Sequence, residues 1–242
     1  MVEGVKLLHS ALEAGAPVEA VFVDDRARSQ RDIVAVLDAA LAQGARVFDL
    51  APGVLERVAD TVTPQPVLAG VAMPDATLDD VAGATFIVVC IDVRDPGNAG
   101  AVIRVAHAAG AGAVVCSEGT VDPFNPKTVR ASAGSVLHIP VVVAGDAGVV
   151  LDTLAGRGLR SLAAVSRGGT AYTEVDLVAP FALVLGNEAS GLPSELASRL
   201  DAHVTIPMGG GAESLNVSTA AAVLCFEAAR RRSNLHAMGE AR

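Results

Sequence analysis

The chain has 242 residues, 51% hydrophobic and 19% charged, which supplies a core for one large domain or two smaller ones and excludes a disordered polar chain. A net charge of −9 and 3% aromatic residues speak against a broad basic field or an aromatic base-stacking sheet, although a local basic patch is compatible with an acidic total. Three dispersed cysteines without metal-ligand spacing to the five histidines, no apolar run near the roughly 18 residues of a membrane span, and an opening too polar for a secretory leader together predict reduced core thiols, no metal, no membrane partner and a cytoplasmic location.

In chain order, Val5 to Ala14 reads as a short amphipathic helix ending at Gly15, and 18–23 as a strand. Helical periodicity runs from Arg28 to Gln43 and stops at Gly44. Strand 45–50, a helix over 51–60 with Pro52 near its start, and strand 67–72 complete a βαβαβ pattern with helices covering a small sheet. The more polar stretch 74–83 reads as a linker between a domain at 1–73 and another at 84–242. Beyond it, strands at 85–91, 113–116, 139–144, 161–165 and 181–186 are continuous Val, Ile and Leu runs, as in a parallel sheet buried on both faces. Helices are expected at 99–110, 126–133, 147–156, 193–199 and 216–232, the last ending in Arg230, Arg231 and Arg232, where three cations would complement the helix dipole.

Ligands of parallel α/β sheets sit beyond the C-terminal ends of strands, and three loops there carry chemistry. After strand 85–91 come Pro96 and Gly97 in a turn, Asn98 as a capping residue, Gly100 for close backbone approach, and Arg104, an anion-site constellation at a helix start. After strand 181–186, Gly186-Asn187-Glu188 continues to Gly191 and Pro193, with small residues against which a ligand can lie and a carboxylate at a strand end. The third loop runs Ile206-Pro207-Met208, glycines 209–211, then Glu213, Ser214, Leu215 and Asn216, two good caps at a helix start. The dinucleotide fingerprint G-x-G-x-x-G is missing, which argues against a nucleotide-dependent oxidoreductase.

These loops closely resemble the SpoU (TrmH-like) family of RNA 2′-O-ribose methyltransferases in the SPOUT superfamily. The matching motifs are N-x-G-x-x-x-R (Asn98, Gly100, Arg104), G-N-E-x-x-G-L (Gly186, Asn187, Glu188, Gly191, Leu192), and I-P-M followed by S-L-N (Ile206, Pro207, Met208, Ser214, Leu215, Asn216). A fourth family-like stretch runs from Asn125-Pro126-Lys127 to Arg130, Ser132, Ala133 and Gly134. The resemblance is strong over 85–232 and looser over 1–72, and Ala189 departs from the glycine of many relatives.

It implies an α/β protein: a small ribosomal-protein-like RNA-binding domain, then a parallel-sheet catalytic domain whose C-terminal segment forms a trefoil knot. It implies S-adenosyl-L-methionine bound against Gly186, Ile206, Met208 and Leu215, and a homodimer in which the arginine of one subunit lies near the cofactor of the other. It implies methyl transfer to a ribose 2′-hydroxyl of RNA, ribosomal rather than transfer RNA, with guanosine favoured. The catalytic group would be Arg104, Asn98, Glu188, Ser214 and Asn216. Arg104 would hold a phosphate and stabilise the developing alkoxide, since an arginine is too weak an acid to serve as base near neutrality. Asn98 would orient Arg104 or the ribose, Ser214 and Asn216 would shape the substrate side, and Glu188 would anchor the loops. Lys127 and Arg130 would reach RNA phosphates or form an ordinary solvated helix face. The rival reading on the same fold is a catalytically inactive RNA-binding or ribosome-assembly protein.

Overall fold

Two sheets, built from the β-branched runs of the chain, organise the molecule. The computed structural model describes residues 1–58 and 63–239, with side chains as far as Ser233. The first sheet has the order β1 (Val2–Glu3), β4 (Val67–Val71), β2 (Val18–Asp24), β3 (Arg46–Leu50). β2 and β3 are parallel across helix α2 (Arg31–Ala42), while β4 runs antiparallel to β1 and β2. Helix α1 (Val5–Glu13) buries Leu8, Ala11 and Leu12, and α2 buries Ile33, Val36, Leu37 and Ala40, the three- and four-residue spacing that puts apolar side chains on one stripe.

Helix α2 starts at Arg31, not at Arg28 as its periodicity suggests. The buried Asp24 carboxylate accepts from the Arg26 backbone N–H and side chain at 2.9 Å each, and this tight turn holds the chain out of helical geometry until Gln30. The helix expected over 51–60 is a single turn, α3 (Leu55–Val58), in the described residues; positions 59 and 60 lie outside them.

The second sheet has seven parallel strands in the order β7 (Val141–Val143), β6 (Ala113–Cys116), β5 (Phe86–Cys90), β10 (Phe181–Leu185), β8 (Arg160–Ala164), β11 (Ala202–Thr205), β9 (Thr170–Ala171). Every residue of β5 and β10 is buried, which explains why these strands read as unbroken apolar runs. Helices α4 (Pro96–Ala108), α5 (Pro126–Ala131) and α8 (Val217–Gly239) cover one face, and α6 (Ala147–Gly156) the other. Strands β1 and β9, two residues each, were too short for any sequence pattern. The helix expected over 193–199 shrinks to α7 (Ser194–Ala197). Segment 74–83 is packed: Ala76 bridges to Val142, Val81 is buried among the sheet residues, and Arg157 pairs with Asp79 at 2.6 Å. All three cysteines are buried free thiols, with Cys90 opposite Cys116 on neighbouring strands.

One core runs through both sheets. Leu8, Val21 and Ile33 of the first unit belong to the same cluster as Val88, Val102 and Leu183 of the second. The seam is tight. The Ser10 hydroxyl lies 2.9 Å from Nε2 of His138, and a Cβ on Gly134 would fall 2.3 Å from the Ser10 oxygen.

The arginine run does not cap a helix end, because α8 continues to Gly239. Instead Arg230 and Arg231 both bind Glu227, at 2.8 and 2.7 Å, and Arg231 donates to the Val175 carbonyl at 3.0 Å. Arg232 donates to the Thr85 carbonyl at 3.2 Å and lies 5.8 Å from the Phe86 ring centroid. The run is thus a tie between α8 and the sheet. The two guanidiniums hold the Glu227 carboxyl down at about 2, from an ordinary 4.5. A carboxyl whose pKa falls on folding stabilises above its unfolded value and loses that contribution as pH drops towards its folded value. Glu227→Gln should therefore flatten the pH dependence of stability between about pH 4.5 and 2. Denaturant midpoints at several pH values check this; parallel profiles for both proteins would refute the Glu227 ion pairs.

Candidate functional site

The C-terminal ends of three neighbouring strands, β10, β8 and β11, open onto one cavity of about 500 Å³. That volume falls in the range of small-molecule and cofactor sites. Its walls include Gly186 after β10, Ile206 and Met208 after β11, and Leu215 before α8, the four positions expected to hold a cofactor. Ser214 and Glu188 line it as well. Apolar residues Leu185, Val204 and Leu224 close its floor, and Ala164 to Arg167 form the wall after β8.

The loop after β10 is pinned to itself. Asn187 and Gly191 exchange backbone hydrogen bonds at 3.0 and 2.9 Å. The Asn187 side-chain oxygen accepts from the backbone of Ala189 and Ser190, at 2.9 and 3.1 Å. Gly191 sits at φ 68°, a left-handed conformation that glycine adopts without a Cβ penalty. Gly186 is required for a different reason: a Cβ there would lie 2.5 Å from the Gly191 carbonyl carbon.

A polar relay fastens the three loops together. Glu188 accepts from the Asn98 side-chain amide at 3.0 Å and from the backbone N–H groups of Asp95 and Arg94 at 3.2 and 3.3 Å. The Asn98 side-chain oxygen, Oδ1, accepts in turn from the Asn216 side chain at 2.8 Å. Asn216 caps α8, taking the Ser218 N–H at 2.9 Å and its hydroxyl at 2.7 Å. Burial raises the Glu188 pKa, but the hydrogen bonds from Asn98, from its own backbone and from Asp95 and Arg94 outweigh it and hold the carboxyl below its usual value. Glu188 is therefore an ionised clamp and not a proton donor.

Each relay bond contributes about 0.5–1.5 kcal/mol net, so Asn98→Ala, which removes two, should lower stability by about 1–3 kcal/mol. Urea unfolding reads this directly, and an unchanged midpoint would mean that the relay does not hold in solution.

The cap of α4 is Asp95, whose carboxylate accepts from the Asn98 N–H at 2.8 Å; Asn98 itself lies one turn inside the helix. The Asp95-Pro96 pair carried this signal, since proline favours the first helical position directly after a cap. That placement frees the Asn98 side chain for the relay. Gly100 does permit a close approach, but of α5: a Cβ there would fall 2.5 Å from the Thr128 carbonyl oxygen.

Arg104 stands apart. It is exposed on α4, makes no ion pair among the described residues, and does not line the cavity. Lys127 is also exposed, whereas Arg130 lies 4.0 Å from Glu3 across the seam between the two units.

Sequence reading overlooked Asp92 and Arg167. Asp92 lies at the start of the loop after β5 with φ 56°, a costly conformation for a non-glycine residue. It is held by Asn187 Nδ2, which donates to its carbonyl at 2.9 Å, and by Arg94 at 2.7 Å on its carboxylate. Only the fold brings Asn187 and Asp92 together, and no local pattern announces it. Arg167 reaches the cavity through the turn after β8, which carries no motif. Among the described residues no cluster of histidine, cysteine or carboxylate side chains could hold a metal ion, and no helix is long and apolar enough to cross a membrane.

Comparison with known proteins places this geometry. Residues 85–226 match the model of the SpoU rRNA Methylase family, and residues 1–69 match an MRM3-like substrate binding domain. The chain is 36% identical over 226 residues to the 23S rRNA (guanosine(2553)-2′-O)-methyltransferase RlmP of Bacillus subtilis, covering 93% of this chain and 86% of that protein. It is 31% identical over 240 residues to a 23S rRNA (uridine(2479)-2′-O)-methyltransferase of Streptomyces viridochromogenes, covering 96% and 83%. Among solved structures, an AdoMet-bound rRNA methyltransferase from Sinorhizobium meliloti superposes with a TM-score of 0.82 at 32% identity, over 95% of this chain and 86% of that one.

Proposed function

Because the chain belongs to the SpoU rRNA methylase family, we propose that it transfers a methyl group from S-adenosyl-L-methionine to a ribose 2′-hydroxyl of ribosomal RNA in the cytoplasm. The observation that carries this reading is the convergence of the three loops: Glu188, Asn98 and Asn216 form one hydrogen-bonded relay beside a cavity lined by Gly186, Ile206, Met208 and Leu215. Apolar side chains at Leu185, Val204, Ile206 and Leu224, polar groups around them and a suitable volume fit an adenosine with a thioether tail. When bound, that cofactor supplies an electrophilic methyl on a sulfonium, so the protein's task is alignment and management of the hydroxyl proton.

Arg104 provides a fixed positive charge for an RNA phosphate and for the oxygen that gains charge in the transition state. The chain works as a homodimer, with Arg104 of one subunit facing the cavity of the other. Its exposure and its distance from its own cavity support this, as does Phe226, 51% exposed on α8. Ser214 and Asn216 shape the ribose side of the site, and Asn98 and Glu188 set the loop positions. Residues 1–73 hold the RNA, and 84–242 carry the transfer chemistry. A trefoil threading of the C-terminal segment is in keeping with the strand order, in which β10 lies between β5 and β8 while β11 takes the far side of β8.

Guanosine is the favoured target, by analogy with the Bacillus subtilis relative; the Streptomyces relative acts on uridine. Transfer of labelled methyl to ribosomal RNA, followed by mapping of ribose 2′-O-methyl sites in RNA from a deletion strain, tests the proposal. The strain should lack one site that the purified protein restores. Cofactor binding without transfer to any RNA would favour the inactive scaffold.

A further inference from the structure

Three charged side chains line the cavity: Glu188, Arg167 and Glu213. Glu188 is committed to Asn98 and the backbone of Asp95 and Arg94. The other two face each other across the mouth. Arg167, on the turn after β8, lies 3.9 Å from Glu213, on the glycine-rich loop after β11. Their side chains are 75% and 88% exposed, and each is the other's only ion-pair partner among the described residues. An exposed pair at that separation is weak and opens at little cost.

We propose that Arg167 and Glu213 recognise the zwitterionic amino-acid end of the cofactor, Arg167 taking the α-carboxylate and Glu213 the α-ammonium. The inference rests on the cofactor assignment above and goes one step further, to the residues that discriminate among ligands sharing the adenosine. Neutral or apolar groups make up the rest of the lining, suited to an adenosine and a thioether. A ligand that carries one positive and one negative group on a single carbon needs one of each sign opposite it. The pair offers a carboxylate for the ammonium and a guanidinium for bidentate contact with the carboxylate. Both residues stand on turns at the rim, so the amino-acid end faces solvent while the adenosine goes inward. Glycines 209–211, in which a Cβ would meet nothing, leave Glu213 free to adjust to its ligand.

Calorimetry with two ligands tests this: S-adenosylhomocysteine, which has the amino-acid end, and 5′-methylthioadenosine, which lacks it. Arg167→Ala and Glu213→Gln should each weaken S-adenosylhomocysteine binding by about tenfold, as expected for loss of one charged contact, and leave 5′-methylthioadenosine within about twofold of wild type. Both residues are exposed, so thermal midpoints should stay unchanged and serve as the folding control. Equal losses for the two ligands, or no loss for either, would overturn the assignment of the pair. Failure of the wild-type protein to bind either ligand would instead overturn the cofactor reading itself.

Discussion

Arg104→Ala should lower methyl transfer by about 100- to 1,000-fold while leaving S-adenosylhomocysteine affinity nearly unchanged, the size of effect seen when a preorganised donor to a developing oxyanion is removed. The split follows from position: Arg104 is exposed on α4 and absent from the cavity wall, so a cofactor in that cavity does not feel its loss. Arg104→Lys should recover only part of the rate, because an ammonium cannot hold a phosphate through two parallel N–H groups. Filter-binding transfer assays and calorimetry on the same preparations separate the two quantities. Retained transfer would take Arg104 out of the mechanism, and a parallel loss of cofactor affinity would place it in the binding site instead.

Gly186→Ala should abolish cofactor binding and destabilise the protein by about 3 kcal/mol, the upper part of the range for overpacking a rigid site. The added Cβ would sit 2.5 Å from the Gly191 carbonyl carbon and 2.7 Å from the Leu192 nitrogen. Both are backbone atoms of the turn held by the Asn187–Gly191 hydrogen bonds, so no side chain can swing away to relieve the contact. Calorimetry and urea unfolding read the two effects, and wild-type affinity in the alanine protein would show that this turn does not shape the cavity.

The two variants also test whether sites are shared between subunits. In a mixture, a hybrid of the proposed homodimer would pair an intact cavity with an intact arginine once. Random reassortment of two inactive proteins should then restore about a quarter of wild-type transfer. A mixture as inactive as its parts would mean that each subunit uses its own arginine.

Much of this site could be read before any fold was known. The glycines and small polar residues after the apolar runs at 85–91 and 181–186, and after Ile206-Pro207-Met208, marked the loops that the parallel sheet brings to one edge. Residues whose role depends on partners remote in sequence were not legible. Asn98 was read as a cap from its place near a helix start, yet its side chain spans to Glu188 and Asn216, 90 and 118 residues away. Arg230–Arg232 looked like the natural end of an apolar segment, and only the packing of α8 on the sheet shows that they tie the helix down. The glycine at 100 was read as permitting a close approach, but its neighbour α5 was not legible, because spacing along a helix does not say which element will cross it. Helix starts at 28 and 51 failed for local reasons, a buried carboxylate folding the chain back on itself in the first case and a segment only one described turn long in the second.

The apolar residues shared between the two sheets have a consequence for how a target is chosen. A small unit tethered by a loose string would let the reaction centre roam over whatever nucleotides lay within reach. Here the spacing between the strand β3 edge and the mouth of the cavity is fixed by interlocked side chains such as Leu8, Val21, Val102 and Leu183. With residues 1–73 holding the RNA, as proposed, the protein would behave as a calliper of set width, and it is the substrate that would have to bend until one of its riboses meets the second jaw.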